Sequence, residues 1–395
     1  MTENISTTQF IKDINEELTI NPSLYKYMNS SIDVPENKML TFTLQNVDVS
    51  IANSIRRIIL SEIPVIVLDS LDKENIDDEK FKFYENNTIF NNEFIKQRLS
   101  CIPVNKNDVE EFEYNNYKIE CKVVNDTNEK RIVTTGDFKI KNIITDQYLP
   151  KEEVEKMFKK NSITQQYIDI VQLQASFNDM NYEKIHFDCG FTISNAKENG
   201  SYNAASTCVY SFTKNMDEIN KTWKLMEQKL PQDKETRELE YNDFMNLDAE
   251  RIVIPNSYDF KIQSIGIYNN NELVVLACEI MIKKLNEFEN KLTSNNDIIK
   301  DNLELMKNSY NILLENEDYT FGKVIENMMY LMYYIKEKKI DYVSMKKIHP
   351  HDDDSLLMIS YKNETPKEEI IRDIINMLKL NVEIYENIKS NMLKV

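Results

Sequence analysis

Cysteine is scarce and scattered in this sequence of 395 residues. Structural zinc sites usually draw on closely spaced Cys or His pairs, and small secreted domains draw on an even set of disulfides, so neither arrangement is indicated. We therefore expect the cysteines to be small buried residues in a reducing compartment, and we expect no metal or other cofactor. The five cysteines are Cys101, Cys121, Cys189, Cys208 and Cys278.

Long hydrophobic runs are also lacking. The most apolar segment, LVVLACEIMI, has 10 residues, whereas a membrane-spanning helix needs about 20. The first residues, MTENISTTQF, contain no basic stretch followed by an apolar core, so a secretory signal is not predicted. We expect a soluble, intracellular protein without membrane contact.

Glycine is rare as well, with five residues in the chain. Gly200 stands alone in the polar loop KENGSYN, whereas phosphate loops combine several glycines with Lys and Ser or Thr at the start of a helix. Nucleophile–base and paired-acid motifs do not stand out, so we predict no catalytic residues. His349 and His351 in IHPHDDD support a metal hydrolase only weakly; an exposed turn is favoured, because a ligand set also needs groups from another element.

Basic residues are outnumbered by acidic ones, 48 to 66, which gives a net charge of -18. Binding to phosphate backbones grows with the number of phosphates that Lys and Arg neutralise, so this balance disfavours a broad nucleic-acid surface. A role with DNA or RNA is expected to be local or indirect. The length and an apolar fraction of 41% allow more than one hydrophobic core.

Two segments of the chain share one pattern. NVDVSIANSI from Asn46 and NEDYTFGKVI from Asn316 both read N-x-D-x-[ST]-x-[AG]-x-x-I. Each follows an alternating strand and opens an amphipathic helix, with Asp48 and Asp318 placed as N-caps. A second strand and a long helix follow each copy, and Thr365 is the predicted N-cap of the last helix, with proline at its first position. The chain therefore contains two related strand–helix, strand–helix units.

Each repeated helix carries an apolar stripe at helical spacing. Residues at this spacing lie on one side of a helix, and two such units can bury their stripes against each other about a pseudo-twofold axis. The predicted interface residues are Ile51, Ile55, Ile58 and Ile59 in the first helix and Phe321, Val324, Ile325, Met328 and Met329 in the second.

The predicted fold class is α+β, with two dimerisation units that form an intrachain pseudodimer and a mostly β domain inserted in the first unit. Changes in sequence texture suggest the boundaries. They give an N-terminal extension at 1–36, a discontinuous first unit at 37–71 and 251–292, an inserted domain at 72–250, a polar linker at 293–308 and a second unit at 309–395.

These segments resemble a known pair of proteins. NVDVSIANSIRRIILSEIPVIVLD, VTTGDF and IQSIGIYNNNELVVLACEIMIKKL are similar to the third-largest subunit of eukaryotic RNA polymerase II and the archaeal D subunit. NEDYTFGKVIENMM, IHPH and TPKEEIIRDIINMLKL are similar to its eleventh subunit and the archaeal L subunit. The same unit occurs in the amino-terminal domain of the bacterial α subunit, and two partners in one chain resemble the fused subunits of large cytoplasmic DNA viruses.

The resemblance implies a function as a non-catalytic assembly platform of a DNA-directed RNA polymerase. On this platform the second-largest and then the largest subunit are mounted, small zinc-bearing subunits are further partners, and DNA and RNA are reached only through the complex. A viral setting implies the host cytoplasm and virion; otherwise the location is the nucleus or cytoplasm with the polymerase. The alternative is a virion or scaffold protein that reuses the pseudodimer.

Two adjacent arginines, Arg56 and Arg57, interrupt the first repeated helix. On a helical wheel Arg57 lies opposite the isoleucine stripe and Arg56 at its border, so a solvated face is the simple interpretation. The second copy has Glu326 and Asn327 at these positions, so the pair marks one unit only. Guanidinium groups suit docking to carboxylates and carbonyls, and the resemblance implies that the pair faces the second-largest subunit.

The loop around Gly200 is a further candidate contact. The resemblance implies that this segment faces neighbouring subunits, including the small zinc-bearing ones. The residues expected to make contact are Lys197, Asn199, Tyr202 and Asn203.

Overall fold

The computed structural model of the chain describes most of its length. Its helices and sheets agree with the mixed helix-and-sheet fold expected from the sequence. The described residues are 39–68, 81–106, 109, 112–161, 163–175, 182–231, 233–294, 298–302 and 307–394, together with the backbone of 19–26.

Helices and strands are interspersed along these residues. In chain order they are β1 (Thr19–Lys26), β2 (Met39–Gln45), α1 (Val49–Ser61), β3 (Val65–Val67), β4 (Phe81–Asn86), α2 (Asn92–Ser100), β5 (Tyr117–Asn125), β6 (Arg131–Thr134), β7 (Lys139–Asn142), α3 (Lys151–Met157), β8 (Asp169–Leu173), β9 (Glu183–Gly190), β10 (Thr192–Ser194), β11 (Ala205–Lys214), α4 (Met216–Glu227), α5 (Lys234–Asn246), β12 (Val253–Ser264), α6 (Asn270–Ser294), β13 (Ile299–Asp301), β14 (Ser309–Leu314), α7 (Tyr319–Met329), β15 (Ile340–Lys346), β16 (Ser355–Tyr361) and α8 (Lys367–Met392).

The first unit comprises α1, α6 and an antiparallel sheet in the order β1-β2-β12-β11. In β2 alternate side chains are buried, as expected where one sheet face covers a core, and the ring of Phe42 stacks on Phe260 with centroids 5.0 Å apart. The edge strand β11 lies within the predicted insert at 72–250 but pairs with β12, for example Val209 with Lys261. The predicted end of the insert, residue 250, is therefore too late. Pairing between strands distant in sequence cannot be recognised from local composition.

The second unit comprises α7, α8 and an antiparallel sheet in the order β13-β14-β16-β15. Strand β13 lies within the predicted linker at 293–308 and pairs with β14. The linker is thus partly built into this sheet, since a short polar strand needs only backbone partners. Of the predicted extension at 1–36, β1 is described and pairs with β2, and the rest lies outside the described residues.

Within the first unit, between β3 and β11, the chain forms an inserted region, residues 81–194. Its main sheet has the order β4-β9-β5-β7, and β6 pairs with β8. Side chains alternate across β5, so that Ile119, Cys121 and Val123 are buried. Burial raises the pKa of Cys121 to about 12 and so keeps the thiol protonated. Four cysteines are buried, and Cys101 is exposed, contrary to expectation, because it follows α2 at the surface.

Four helices join the two units. Helix α6 packs along α8, α1 contacts α7, and α1–α6 and α7–α8 contacts complete the group. The buried apolar side chains of both units and of the inserted region belong to one continuous cluster. A separate small core lies at the helical hairpin α4–α5 and contains Ile219, Phe244 and Ala249. Among the described helices, none is long and apolar enough to cross a membrane.

Candidate functional site

The repeated N-x-D motif has the same geometry in both copies. Asn46 and Asn316 have φ values of 61° and 58°, in the left-handed region that Asn tolerates better than most side chains. The carboxylates of Asp48 and Asp318 each accept a hydrogen bond of 2.7 Å from the backbone N–H two residues later. The motif therefore turns the chain sharply from a strand and caps the helix that follows.

The predicted cap at Thr365 is wrong. Pro366 occupies the N-cap position of α8 with an extended backbone, so that the helix begins at Lys367 without a side-chain cap. The hydroxyl of Thr365 instead donates to the carbonyl of Asn363 at 3.0 Å. Its own carbonyl accepts from the hydroxyl of Tyr310 at 3.0 Å, which fixes the start of the helix on the sheet.

All nine predicted interface residues are buried, with at most 4% of the side chain exposed. The helices that carry them, α1 and α7, contact each other, and both also pack on the long helices. Across the boundary between the units, the ring of Phe321 in α7 meets Phe288 in α6 edge-on at 5.6 Å. The apolar stripes are therefore shared by a four-helix contact rather than by α1 and α7 alone.

One buried hydrogen bond crosses the boundary between the units. The hydroxyl of Ser54 in α1 donates to the carbonyl of Ile51 at 2.7 Å and lies 2.5 Å from the hydroxyl of Tyr385 in α8. Because the hydrogen of Ser54 is used, Tyr385 is the donor. Burial raises the pKa of Tyr385 far above its usual value. Sequence reasoning missed this pair, although a serine between the isoleucines of an apolar stripe is a signal.

An ion pair crosses the same boundary at the start of α7. One Nη of Arg57 lies 2.6 Å from a carboxylate oxygen of Asp318. Burial raises the pKa of Asp318, but hydrogen bonds from Thr320 and the charge of Arg57 outweigh burial, so the pKa lies below its usual value. The side chain of Arg57 therefore does not point straight outward as the helical wheel suggests, because its length lets it reach Asp318 of the other unit. A docking role for Arg57 stays a prediction.

A second charged group at this boundary is more buried. The ammonium of Lys284 in α6 lies 2.8 Å from Glu62, at the end of α1, and 3.1 Å from Glu317, which precedes α7. Burial alone lowers the pKa of Lys284, but the two carboxylates raise it above its usual value. Burial, together with the charge of Glu62, raises the pKa of Glu317 above its usual value despite the lowering effect of Lys284. Lys284 therefore holds carboxylates from both units.

Arg56 faces outward from this boundary. Its Nε and Nη2 donate to the side-chain carbonyl of Asn53 at 3.1 and 2.9 Å, and it has no carboxylate partner among the described residues. Helix α1, which carries Arg56, packs on the edge strand β11. Burial raises the pKa of Cys208 in that strand to about 12, although the charge of Arg56 lowers it. Phe212, which is 50% exposed, and the half-buried Tyr210 lie on the same sheet face as Cys208. We call Asn53, Arg56, Tyr210 and Phe212 the Arg56 surface.

A second exposed apolar surface lies on the other unit. The chain continues from α7 as a π-helix, Tyr330–Lys336, in which Met332 and Tyr333 are buried. Tyr330 and Tyr334 stack with ring centroids 5.0 Å apart. Sequence reasoning missed this surface, because MMYLMYYIK is apolar on all sides. Its members, here called the aromatic surface, are 36–49% exposed: Tyr330, Leu331, Tyr334 and Ile335.

The loop predicted to contact other subunits is only partly available. Lys197 and Asn199 are exposed, and the backbone N–H of Lys197 donates to the carbonyl of Ser61 at 2.7 Å, which ties the loop to the end of α1. Tyr202 is buried, with 2% of the residue exposed, so a contact role for it is wrong; its apolar ring is used in the core. Asn203 is half-buried and donates to the carbonyl of Ala205 at 3.3 Å.

One cluster in the inserted region could hold a cation. Glu120, His186 and Asp188 come from the paired strands β5 and β9, and His186 Nε2 lies 3.6 Å from a carboxylate oxygen of Glu120. Divalent first-row metals accept such donors. The ammonium of Lys118, 2.7 Å from Asp188, already neutralises this carboxylate, so an ion would have to displace it. The sequence alone does not indicate this cluster, because the pairing of β5 with β9 brings together residues that are far apart in the chain.

The histidines of IHPHDDD lie in a turn between β15 and β16. His349 and His351 are both exposed, and their rings are 5.1 Å apart. Neither belongs to a metal-ligand cluster within the described part of the chain.

Known proteins with similar sequences place the chain in a family. The family model of the RNA polymerase Rpb3/Rpb11 dimerisation domain matches residues 41–285, more than half of the chain. The DNA-directed RNA polymerase subunit Rpo3 of Pyrococcus horikoshii is 23% identical over 274 residues, which cover 64% of this chain and 93% of that protein. The DNA-directed RNA polymerase II subunit rpb3 of Dictyostelium discoideum is 32% identical over 79 residues, 20% of this chain and 23% of that protein.

A protein of Tetrahymena thermophila named as conjugation stage-specific is 29% identical over 199 residues, 44% of this chain. This chain spans about half of that relative, 54% of its length. The matched family region contains the N-x-D turn, helix α1 and most of helix α6, which form the first unit's side of the buried boundary. The chain belongs to the RNA polymerase Rpb3/Rpb11 dimerisation-domain family.

Proposed function

We propose that this chain is a non-catalytic assembly platform of a multisubunit DNA-directed RNA polymerase, with both dimerisation partners in one polypeptide. The observation that carries the proposal is the pair of partly exposed surfaces, one on each unit, beside a boundary whose apolar residues are buried. On the first unit the Arg56 guanidinium lacks a carboxylate partner among the described residues, and on the second the aromatic surface is solvent-exposed. Charged anchors and exposed aromatics are typical of protein interfaces.

The two units act as an intrachain pseudodimer in this proposal. The family match ends at residue 285, so the role of the second unit rests on the repeated motif and the four-helix contact. The left-handed Asn and the capping Asp recur at the start of α1 and α7. The inserted region is a separate module on the first unit, and joining both partners in one chain favours a viral polymerase of the host cytoplasm and virion.

The partners follow from where the surfaces lie. The Arg56 surface docks the second-largest subunit, because a guanidinium beside an aromatic edge strand suits carboxylates and backbone carbonyls. The aromatic surface docks the largest subunit, and Lys197 and Asn199 contact small zinc-bearing subunits. DNA and RNA are reached only through the complex, in keeping with the net charge of -18.

Affinity purification of the tagged full chain from its source tests this function. Both large polymerase subunits are expected in stoichiometric amounts. In the Arg56→Glu variant, recovery of the second-largest subunit is expected to fall on the order of tenfold, since a desolvated charge would face its docking groups. Arg372→Glu is the matched control, because Arg372 is an exposed arginine of α8, 68% exposed.

A virion or scaffold protein is the alternative function. It predicts copurification of structural proteins without the large polymerase subunits. Full recovery of the second-largest subunit with Arg56→Glu would reject the Arg56 surface while leaving polymerase membership intact.

A further inference from the structure

Two segments of the inserted region share a sequence that the larger repeat does not contain. Residues 141–149 read KNIITDQYL and residues 160–168 read KNSITQQYI, so both fit K-N-x-I-T-x-Q-Y followed by Leu or Ile. The first begins at the end of strand β7 and the second ends just before strand β8. They are therefore separate loops, here called the twin loops.

The twin loops have the same backbone geometry. The backbone N–H of Asn142 donates to the carbonyl of Gln147 at 2.8 Å, and that of Asn161 donates to the carbonyl of Gln166 at 2.9 Å. Each asparagine side chain accepts from the backbone N–H groups two and three residues later, at 2.9 and 3.0 Å in both loops. The residue after the threonine has a φ of 56° in one loop and 57° in the other.

The motif lysine and tyrosine also repeat in space. The ammonium of Lys141 lies 5.8 Å from the ring centroid of Tyr148, and that of Lys160 lies 4.9 Å from the ring of Tyr167. Each tyrosine hydroxyl donates to a glutamate of the inserted region. The Asn, Lys and Tyr of the motif therefore each have a structural role within the loops, which accounts for their presence in both copies.

The isoleucine of the motif has no such explanation. Ile144 is 73% exposed and Ile163 is 53% exposed, so neither contributes a buried side chain to the fold. Burial does not require an apolar side chain at these positions, yet both loops present the same large apolar one. A single exposed isoleucine is ordinary, but a geometrically matched pair indicates a surface that binds something.

Both loops are attached to one short segment. The carbonyl of Ile168 accepts from the backbone N–H of Thr135 at 3.0 Å, and Tyr167 packs so closely on Gly136 that a Cβ there would lie 2.5 Å from the ring. The first loop starts at Asn142, six residues after Gly136. Six extended residues span about 20 Å, which bounds the distance between the loop bases.

The charge of this segment points to the kind of partner. Residues 139–168 contain six lysines and four carboxylates in a chain whose net charge is -18. Among the described residues Lys139, Lys159 and Lys160 form no ion pair. We propose that the twin loops are a two-point docking site for an acidic segment of another protein that carries two apolar anchors.

Photocrosslinking of the full chain in its source tests this site. The photoreactive residue p-benzoylphenylalanine replaces Ile144, Ile163 or, as a control, Ile348, which is 72% exposed in the second unit. Positions 144 and 163 are expected to crosslink to the same polypeptide, in peptides rich in Asp and Glu, and position 348 is not. Ile163→Asp is expected to lower crosslinking from position 144 about tenfold, because two-point binding loses one anchor.

Labelling of two unrelated polypeptides, absence of labelling, or an unchanged yield from position 144 in Ile163→Asp would overturn the proposal. Unchanged thermal unfolding of Ile144→Asp and Ile163→Asp is the control for folding, since both side chains are exposed. The site does not depend on the proposed function. Recovery of the large polymerase subunits in the same purification is scored separately.

Discussion

Arg57 of the first unit binds the carboxylate of Asp318 at 2.6 Å, and the same carboxylate caps helix α7 of the second unit. One side chain thus starts a helix and anchors it across the boundary between the units. Asp48, the matching residue of the first unit, caps α1 but has no such ion pair within the described residues. The two copies of the motif have the same local geometry, but only the second copy forms an ion pair across the boundary between the units.

This difference predicts unequal effects of removing the two caps. Asp48→Ala is expected to lower the free energy of unfolding by about 1 kcal/mol, the usual value for a lost N-cap. Asp318→Ala also loses a partly exposed ion pair, worth up to about 1 kcal/mol more. Urea unfolding of both variants, with Arg57→Ala and the Arg57→Ala/Asp318→Ala double variant, measures the coupling. Equal losses at the two aspartates would contradict a contribution of the ion pair.

Acid should remove the contribution of the Asp318 charge. The pKa of Asp318 in the folded chain lies below its usual value. A lowered pKa adds stability that is present above the unfolded-state value, about 3.9, and is lost as the pH falls through the folded-state value. The wild-type chain should therefore exceed Asp318→Asn in stability at pH 7, and the gap should close on acidification below about pH 4. Asn retains capping ability, so this variant isolates the charge; a gap that widens in acid would contradict the assignment.

The buried hydroxyl pair predicts non-additive losses. Ser54→Ala leaves the buried hydroxyl of Tyr385 without an acceptor and is expected to cost about 1–3 kcal/mol. Tyr385→Phe removes the donor and is expected to cost about 0.5–1.5 kcal/mol. The double variant should lose clearly less than the sum, as measured by denaturant unfolding. Tyr334→Phe, on an exposed tyrosine, is the control with an expected change near zero.

The two units should associate when they are made as separate chains. Residues 1–308 and 309–395 are expected to form a 1:1 complex on size exclusion, because the cut leaves the four contacting helices intact and strand β13, which stays with the larger piece, can still pair with β14. The complex should weaken on dilution, unlike the intact chain. Ile325→Asp in the smaller piece is expected to abolish association, since Ile325 is fully buried. Two stable, non-associating monomers would reject the pseudodimer.

Local patterns in the sequence were sufficient for the elements that begin the two units. Asn46, Asp48 and the isoleucine spacing predict a turn, a cap and one buried helix face, because these depend on neighbours within one or two helical turns. The same reasoning failed at Thr365, because Pro366 is the N-cap and the helix begins at Lys367, one residue later than expected. It also failed for Tyr202. This residue was expected at the surface, but its ring is buried in the core.

Side-chain partners distant in sequence were beyond such reasoning. The helical wheel places Arg57 on an exposed face. Its guanidinium nevertheless binds Asp318, and sequence patterns could not show this because the two residues are 261 positions apart. The pairing of β11 with β12 and the cluster of Glu120, His186 and Asp188 likewise arise from strand register. Register depends on long-range backbone hydrogen bonds, which no short segment specifies by itself.

The sequence by itself determined the repeated units, their capped helices, the apolar stripes and the resemblance to polymerase subunits, because each of these is encoded by residues a few positions apart. The tertiary structure alone decided that Arg57 and Lys284 hold the two units together, that Arg56 has no carboxylate partner among the described residues, that the aromatic surface stays partly exposed, and that the twin loops present matching isoleucines. Those outcomes depend on which distant surfaces meet when the chain folds, and burial, charge pairing and exposure are set only at that point.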